Sequence, residues 1–312
     1  MTNVLAKGTI YLCHTGIETD LIFNRGVDLP HFSLYPFLEH EAGRDIIHSY
    51  VDELIDIASS HGLGVVMETP TWMANTDRAA PLGYSADDIA RINADAVTMI
   101  AGACSGASIP VVVSGNIGPR DDAYVPSDQM DAITAREYHA HQIKSLAQAG
   151  AQLASGYTLA YVNEAVGMVR AAQDAGIPSM ISFTVETDGN LPDGTPLPDA
   201  IASCDAQTDG GPEYYMINCA HPTHFDHVLD GGAWMARIKG LIVNASMCSH
   251  AELDEATELD PGNPTELGQQ LGALAQAHPN LQVFGGCCGT DARHMREIAG
   301  AIARDVRILQ SL

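Results

Sequence analysis

Leu281-Gln282-Val283-Phe284-Gly285-Gly286-Cys287-Cys288-Gly289-Thr290 reads as a short buried strand that stops at two adjacent cysteines. Upstream, Tyr214-Tyr215-Met216-Ile217-Asn218-Cys219 has the same form, an apolar run closing on a thiol. Thiols at the ends of separate strands can converge on one metal ion. Three soft ligands leave one position of a tetrahedral zinc free, and a free position suits a substrate better than a structural role.

Outward from these two segments, the alternation of short β-rich runs with longer amphipathic ones continues along the chain. Strands are expected at 9–13, 64–68, 110–114, 151–155, 178–184, 214–219, 240–244 and 282–285. Helical patterns cover 42–60, 85–104, 134–149, 162–174, 265–277 and 291–309, the last with Ile298, Ile302 and Val306 in register on one face. Glycines at His61-Gly62, Ala149-Gly150 and Ala175-Gly176 end helices just before the next strand. Eight strands, each followed by a helix or a long loop, favour an α/β fold closed into a single (β/α)8 TIM barrel over an open sheet. No glycine-rich phosphate fingerprint follows the first strand, where a dinucleotide fold would place one. The strongest break, 186–198 with Gly189, Pro192, Gly194, Pro196 and Pro198, is expected to be a surface excursion within one domain spanning residues 1–312.

Polar residues collect at one end of these strands: His14-Thr15-Gly16, Glu68-Thr69, Gly115-Asn116, Gly156-Tyr157-Thr158, Asn218-Cys219, Asn244 and Cys287-Cys288. In a β/α barrel that end is the rim where active sites are assembled.

Composition narrows the function classes. The 312 residues are 46 % apolar with a mean hydropathy near zero, as in a globular chain with a sizeable core. No apolar run is long enough to span a bilayer, and Met1-Thr2-Asn3-Val4-Leu5-Ala6-Lys7-Gly8 does not read as a secretory signal, so a cytoplasmic location is expected. A net charge of −24, from 15 basic and 39 acidic residues, disfavours nucleic acid and membrane as partners. Seven cysteines, an odd number spread over a long chain, argue for metal or catalytic thiols in a reducing compartment rather than a disulfide framework. Cys13, Cys104, Cys204 and Cys248 sit at no ligand spacing and read mostly as small buried side chains.

Taken together, Gly285-Gly286-Cys287-Cys288-Gly289-Thr290 and Asn218-Cys219 resemble the glycine-flanked cysteine pair and the asparagine–cysteine element of the homocysteine S-methyltransferase family. Gly118-Pro119 and Asn244 are weaker matches, and the resemblance covers most of the chain. It implies a zinc-dependent barrel in which Cys219, Cys287 and Cys288 hold Zn2+, a small thiol such as homocysteine takes the fourth position, and a methyl group is transferred to it. Donors across the family include S-methylmethionine, S-adenosylmethionine, betaine and methylated corrinoid proteins. A corrinoid donor would have to be a separate partner, since the chain has no room for such a domain beside the barrel.

Several alternatives stay open on the sequence alone. The cysteines could hold a structural zinc with a fourth protein ligand, and His221, His224 and His227 follow Cys219 closely enough to offer one. Cys287 and Cys288 could form a redox pair, although adjacent cysteines make strained disulfides. The chain could be a non-catalytic thiol- or zinc-binding barrel, or a barrel enzyme using Glu68 or a histidine for acid–base chemistry.

The family pattern is also broken at two places. An aspartate and a glutamate that hold the amino group of homocysteine are expected after the first and fourth strands. In this chain His14, of His14-Thr15-Gly16-Ile17-Glu18-Thr19, and Tyr157 stand there. Glu18 and Glu68 are the candidate replacements, and the acceptor is expected to be a related thiol rather than homocysteine itself. His14, Thr15, Gly16, Glu18, Glu68, Tyr157, Asn218 and Asn244 are the expected substrate contacts.

Overall fold

In a computed structural model describing residues 4–309, parallel strands close on themselves in sequential order. They are β1 (Tyr11–Cys13), β2 (Gly64–Glu68), β3 (Val111–Ile117), β4 (Leu153–Leu159), β5 (Ser179–Phe183), β6 (Tyr214–Asn218), β7 (Ile238–Val243) and β8 (Val283–Gly286). Closure comes from β1 pairing with β8, with Tyr11 opposite Val283, Leu12 opposite Phe284 and Cys13 opposite Gly285. The expected (β/α)8 TIM barrel is the observed one.

The period-two pattern of each strand divides its side chains between two cores. Tyr11, Cys13, Val66, Val112, Leu153, Tyr157, Met180, Tyr214, Met216, Ile242 and Val283 fill the barrel interior. Their neighbours Leu12, Val65, Met67, Val113, Ile181, Ile217, Leu241 and Phe284 face the helical jacket. That jacket consists of α1 (Glu41–His61), α2 (Ala86–Cys104), α3 (Ala132–Gln148), α4 (Val162–Ala175), α5 (Leu197–Thr208), α6 (Pro264–Ala277) and α7 (Ala292–Leu309). Gly62 and Gly176 end α1 and α4 in the left-handed conformation, at φ 71° and 69°. Ile298 and Ile302 of α7 are buried as expected, while the side chain of Val306 lies outside the described residues. No helix of the described residues is long and apolar enough to cross a membrane.

Three expectations need correction. Strands β3 and β4 run beyond their expected ends, so Asn116, Tyr157 and Thr158 belong to strands rather than to the loops after them. Gly115 and Gly156 do not end these strands: each is where a side chain from the jacket packs onto the strand, Leu146 on Gly115 and Met168 on Gly156. Helix α5 went unread because Pro196 and Pro198 suggested only a loop. Pro198 instead occupies the first turn, where a missing N–H costs nothing. Between β6 and β7 the helical layer is reduced to short turns, Pro222–Phe225, Asp226–Val228 and Ala233–Arg237.

The β1–β8 seam tolerates no side chain at Gly285, where a Cβ would lie 1.8 Å from the Cys13 carbonyl oxygen. Gly285→Ala is expected to cost about 2–3 kcal/mol in urea unfolding. Gly102→Ala, on the exposed side of α2 with nothing within 4 Å, should instead gain about 0.5–1 kcal/mol.

Candidate metal centre

The Sγ atoms of Cys219, Cys287 and Cys288 all lie within 4.8 Å of one another, and Cys219 and Cys288 are 3.5 Å apart. None of the seven cysteines is in a disulfide. A tetrahedral zinc with Zn–S bonds of about 2.3 Å holds its sulfurs roughly 3.8 Å apart, so the trio fits such an ion with small side-chain adjustments. Among the described residues, no histidine, aspartate or glutamate joins the group. His221 caps the turn Pro222–Phe225, His224 bonds the Met247 carbonyl, and His227 is exposed, so none of them supplies a fourth ligand here.

Local backbone geometry explains how three separate positions meet. Cys219 follows β6 at φ 55°, a left-handed conformation that turns its side chain out of the strand's alternation. Its N–H is held by the Ile242 carbonyl at 2.9 Å and its carbonyl by His250 Nε2 at 2.8 Å. Cys287 N–H donates to Val243 O (2.7 Å), and Cys288 O accepts from Ala245 N (3.0 Å), which fixes the pair against the end of β7. Gly289, at φ 77°, lets the chain turn immediately after the pair. The Cys287 and Cys288 thiols hydrogen-bond Cys219 and hold its thiol well below the usual range. The same contacts push the Cys287 and Cys288 thiols well up.

Cys287 and Cys288 form part of the wall of a cavity of about 510 Å3 at the strands' C-terminal ends, with Cys219 directly behind them. His14, Gly16, Glu18, Asn116, Tyr157, Thr158, Asn218 and Asn244 line it too, joined by Phe23, Phe32, Trp72, Arg78, Tyr124 and His250. His14, at φ 44°, is pushed down to about 4 by burial and faces Tyr157 with ring centroids 6.0 Å apart. Burial pushes Glu18 up to about 7. Gly16 works through its backbone, donating to Thr290 Oγ1 at 3.0 Å, and Thr15 lines only a smaller adjoining cavity of about 60 Å3. Asn218 is fully engaged: its Oδ1 accepts from Thr158 N and Ser182 Oγ, and its Nδ2 donates to Thr158 Oγ1. It braces Thr158, itself at φ 61°, rather than presenting a free amide.

Glu68 lines that smaller cavity rather than the main one. Its Oε1 accepts from the Tyr157 hydroxyl at 3.0 Å, with the Cys13 thiol 3.9 Å away. Burial pushes it up to about 7, against the hydroxyls of Ser114, Tyr157 and Ser155 that pull it down. Its partners are thus interior hydroxyls, neither backbone nor arginine. Cys13, expected to be a plain apolar filler, is 3.3 Å from the Tyr157 hydroxyl and belongs to this buried cluster.

The sequence reading missed Tyr124 and His250. The Tyr124 hydroxyl donates to Cys219 Sγ at 3.0 Å, and the His250 ring stacks on Tyr124 at 4.0 Å. An aromatic residue in the polar stretch Asp121-Asp122-Ala123-Tyr124, just past a barrel strand, was the available sign.

A rim of thiols at the strand ends of a closed β/α barrel defines a class of sulfur-handling enzymes. The sequence model of the homocysteine S-methyltransferase family matches residues 26–302, and the chain belongs to that family. It is 33 % identical over 143 residues to the methionine synthase of Mycobacterium leprae (strain TN), a match spanning 45 % of this chain and 11 % of that protein. Among solved structures, the oxidized form of the homocysteine methyltransferase MmuM from Escherichia coli superposes with a TM-score of 0.71 at 18 % identity, covering 93 % of this chain and 95 % of that one. Its metallated form gives 0.70 at 19 % identity, covering 96 % and 97 %. At such identity the likeness is one of fold.

The Glu68 carboxyl binds its proton more tightly folded than unfolded, where its value is 4.5. Whatever stability that protonated group contributes is complete below pH 4.5 and is lost as pH rises through about 7. Glu68→Gln should therefore gain on the wild type across that window, by on the order of 3 kcal/mol. Urea midpoints of both proteins at acid and at neutral pH would show it; parallel curves would contradict it.

Proposed function

We propose that Cys219, Cys287 and Cys288 hold one zinc ion and that the chain transfers a methyl group to a small thiol placed beside them. The observation that carries this reading is the gathering of three sulfurs within 4.8 Å, two of them, on Cys287 and Cys288, in the wall of a cavity large enough for both reactants. Zinc, when bound, favours the thiolate of an incoming thiol, whose free pKa is about 8.5. The protein's own share is alignment: the cavity wall fixes the acceptor sulfur and the donor methyl in line and keeps water away.

The cavity's chemistry favours a small cationic donor. Glu18, Asp122, Asp254, Glu258 and Asp260 line it against a single guanidinium, Arg78, whose Nε donates to the Arg120 carbonyl. Phe23, Phe32, Trp72 and Tyr124 add aromatic faces, each able to attract an onium group by about 0.5–2 kcal/mol. A sulfonium or quaternary ammonium donor matches that wall. A separate methylated corrinoid protein is the contrasting donor.

For the acceptor, the two positions near the sulfurs offer no anion. His14 is neutral, and the Tyr157 hydroxyl is committed to Glu68. Of the two candidate replacements, Glu18 faces the main cavity, whereas Glu68 does not line it. We therefore assign Glu18, not Glu68, as the group that would meet an acceptor's ammonium. The expected acceptor is a small thiol whose far end suits His14, Tyr157 and Asn116, all neutral. The reducing cytoplasm that the sequence suggests would keep such thiols, and the cysteines, in the reduced state.

Cys288→Ser should lower zinc content and methyl transfer together while leaving the thermal melt nearly unchanged; full metal content with full activity would refute the ligand set. A competition among thiols, with sulfonium, ammonium and corrinoid-bound methyl donors each supplied in turn, tests the substrate reading. Clear preference for homocysteine would overturn the acceptor proposal, and transfer from the corrinoid protein alone would overturn the donor proposal. Zinc coordination of thiols without turnover from any donor would favour a binding protein instead.

A further inference from the structure

Tyr124 reaches the sulfur cluster from a segment that follows neither β6 nor β8, the two strands whose ends carry the three cysteines. Its hydroxyl is 3.0 Å from Cys219 Sγ, and its ring lies on the His250 imidazole, tilted 33° at 4.0 Å between centroids. His250 comes from the short helix His250–Asp254 after β7 and is itself held on both sides. Its Nε2 is 2.8 Å from the Cys219 carbonyl and its Nδ1 is 3.1 Å from Glu186 Oε1. Asn244 Nδ2 approaches the same sulfur at 3.8 Å. Cys219 is thus gripped through its sulfur and its carbonyl. Among the described residues, no O–H or N–H group donates to the sulfurs of Cys287 or Cys288.

The segment carrying Tyr124, residues 118–131 between β3 and α3, is tied down at its tip and its stems. Asp122 Oδ1 accepts from the Tyr124 and Val125 N–H groups, both at 2.8 Å. Asp121 Oδ2 accepts from Ser127 N, Ser127 Oγ and Asp128 N at 3.2, 2.9 and 3.1 Å. One stem is fixed by Arg120 N–H donating to Glu164 Oε1 (2.8 Å), the other by Met130 N–H donating to the Tyr161 hydroxyl (3.1 Å). So many bonds on so short a segment hold one side chain at one place, as in compact functional loops.

We infer that Tyr124 is a positioning residue for the Cys219 thiolate, and that its O–H···S bond draws charge from one sulfur of the three. An ion held by that trio then stays more electron-poor toward its fourth ligand, the acceptor thiol. The inference rests on the metal reading above. It concerns a contact outside the ligand set, and such contacts tune both metal affinity and the basicity of the ligand they touch.

Cobalt(II) is the probe, because thiolate-to-cobalt charge-transfer bands report the charge on sulfur. Tyr124→Phe, which keeps the ring on His250, should move these bands to lower energy as charge returns to the sulfur, and should weaken zinc(II) binding about tenfold in competition with a chelator because the Cys219 thiolate is no longer held in place. Val125→Ala, at the exposed neighbouring position, should change neither. Unchanged bands and affinity in Tyr124→Phe would overturn the assignment. An equal shift in Val125→Ala would overturn it too, because loop order rather than the phenol would then be the cause. Absence of charge-transfer bands in cobalt-treated wild type is a different failure, and it would sink the metal reading itself.

Discussion

The pairing of β8 with β1 is the contact on which the site depends. Parallel strands that close on themselves bring all their C-terminal ends to one rim, and this seam is where the first strand meets the last. Here it does more than complete a cylinder. Gly16 N–H bonds Thr290 Oγ1 and Gly289 N–H bonds Thr19 Oγ1, so the turn after β1 is stitched directly to the turn bearing the cysteine pair. The missing side chain at Gly285 lets the two backbones come close enough for this. Cys287 and Cys288 are thereby held between β7 on one side and the His14–Glu18 turn on the other, facing Cys219 across the end of β7.

The rim also stores backbone strain in a way the neighbouring bonds support. His14, Thr158 and Cys219 all adopt positive φ without being glycine, at a cost of about 1–3 kcal/mol each. Each is restrained locally: the His14 carbonyl by Gly286 N–H, Thr158 by Asn218, and Cys219 by Ile242 and His250. Such restraint makes the cavity wall pre-formed, so less ordering remains to be done when substrates enter.

Much of this was legible in the chain. Apolar runs ending in polar residues announced both the barrel and its working rim, and two cysteine-bearing strand ends announced the sulfur cluster. What stayed hidden depended on contacts between distant segments. Strands β3 and β4 extend past Gly115 and Gly156 because Leu146 and Met168 cover those glycines, and neither partner is visible from local pattern. Pro196 and Pro198 masked α5 because proline starts a helix as readily as it stops one. The partner of Glu68 is the Tyr157 hydroxyl, 89 positions away and equally invisible to local pattern. Tyr124 and Cys219, 95 positions apart, share no motif at all.

One buried carboxylate outside the cavity wall gives the molecule a further handle. Glu164, buried between α3 and α4, bonds His139 and also anchors the stem of the segment that roofs the sulfur cluster. Packing changes in the outer jacket are therefore transmitted to the mouth of the barrel without altering any residue that lines it. Selection acting on those two helices can thereby retune the segment that carries Tyr124, and with it the Cys219 sulfur that Tyr124 touches.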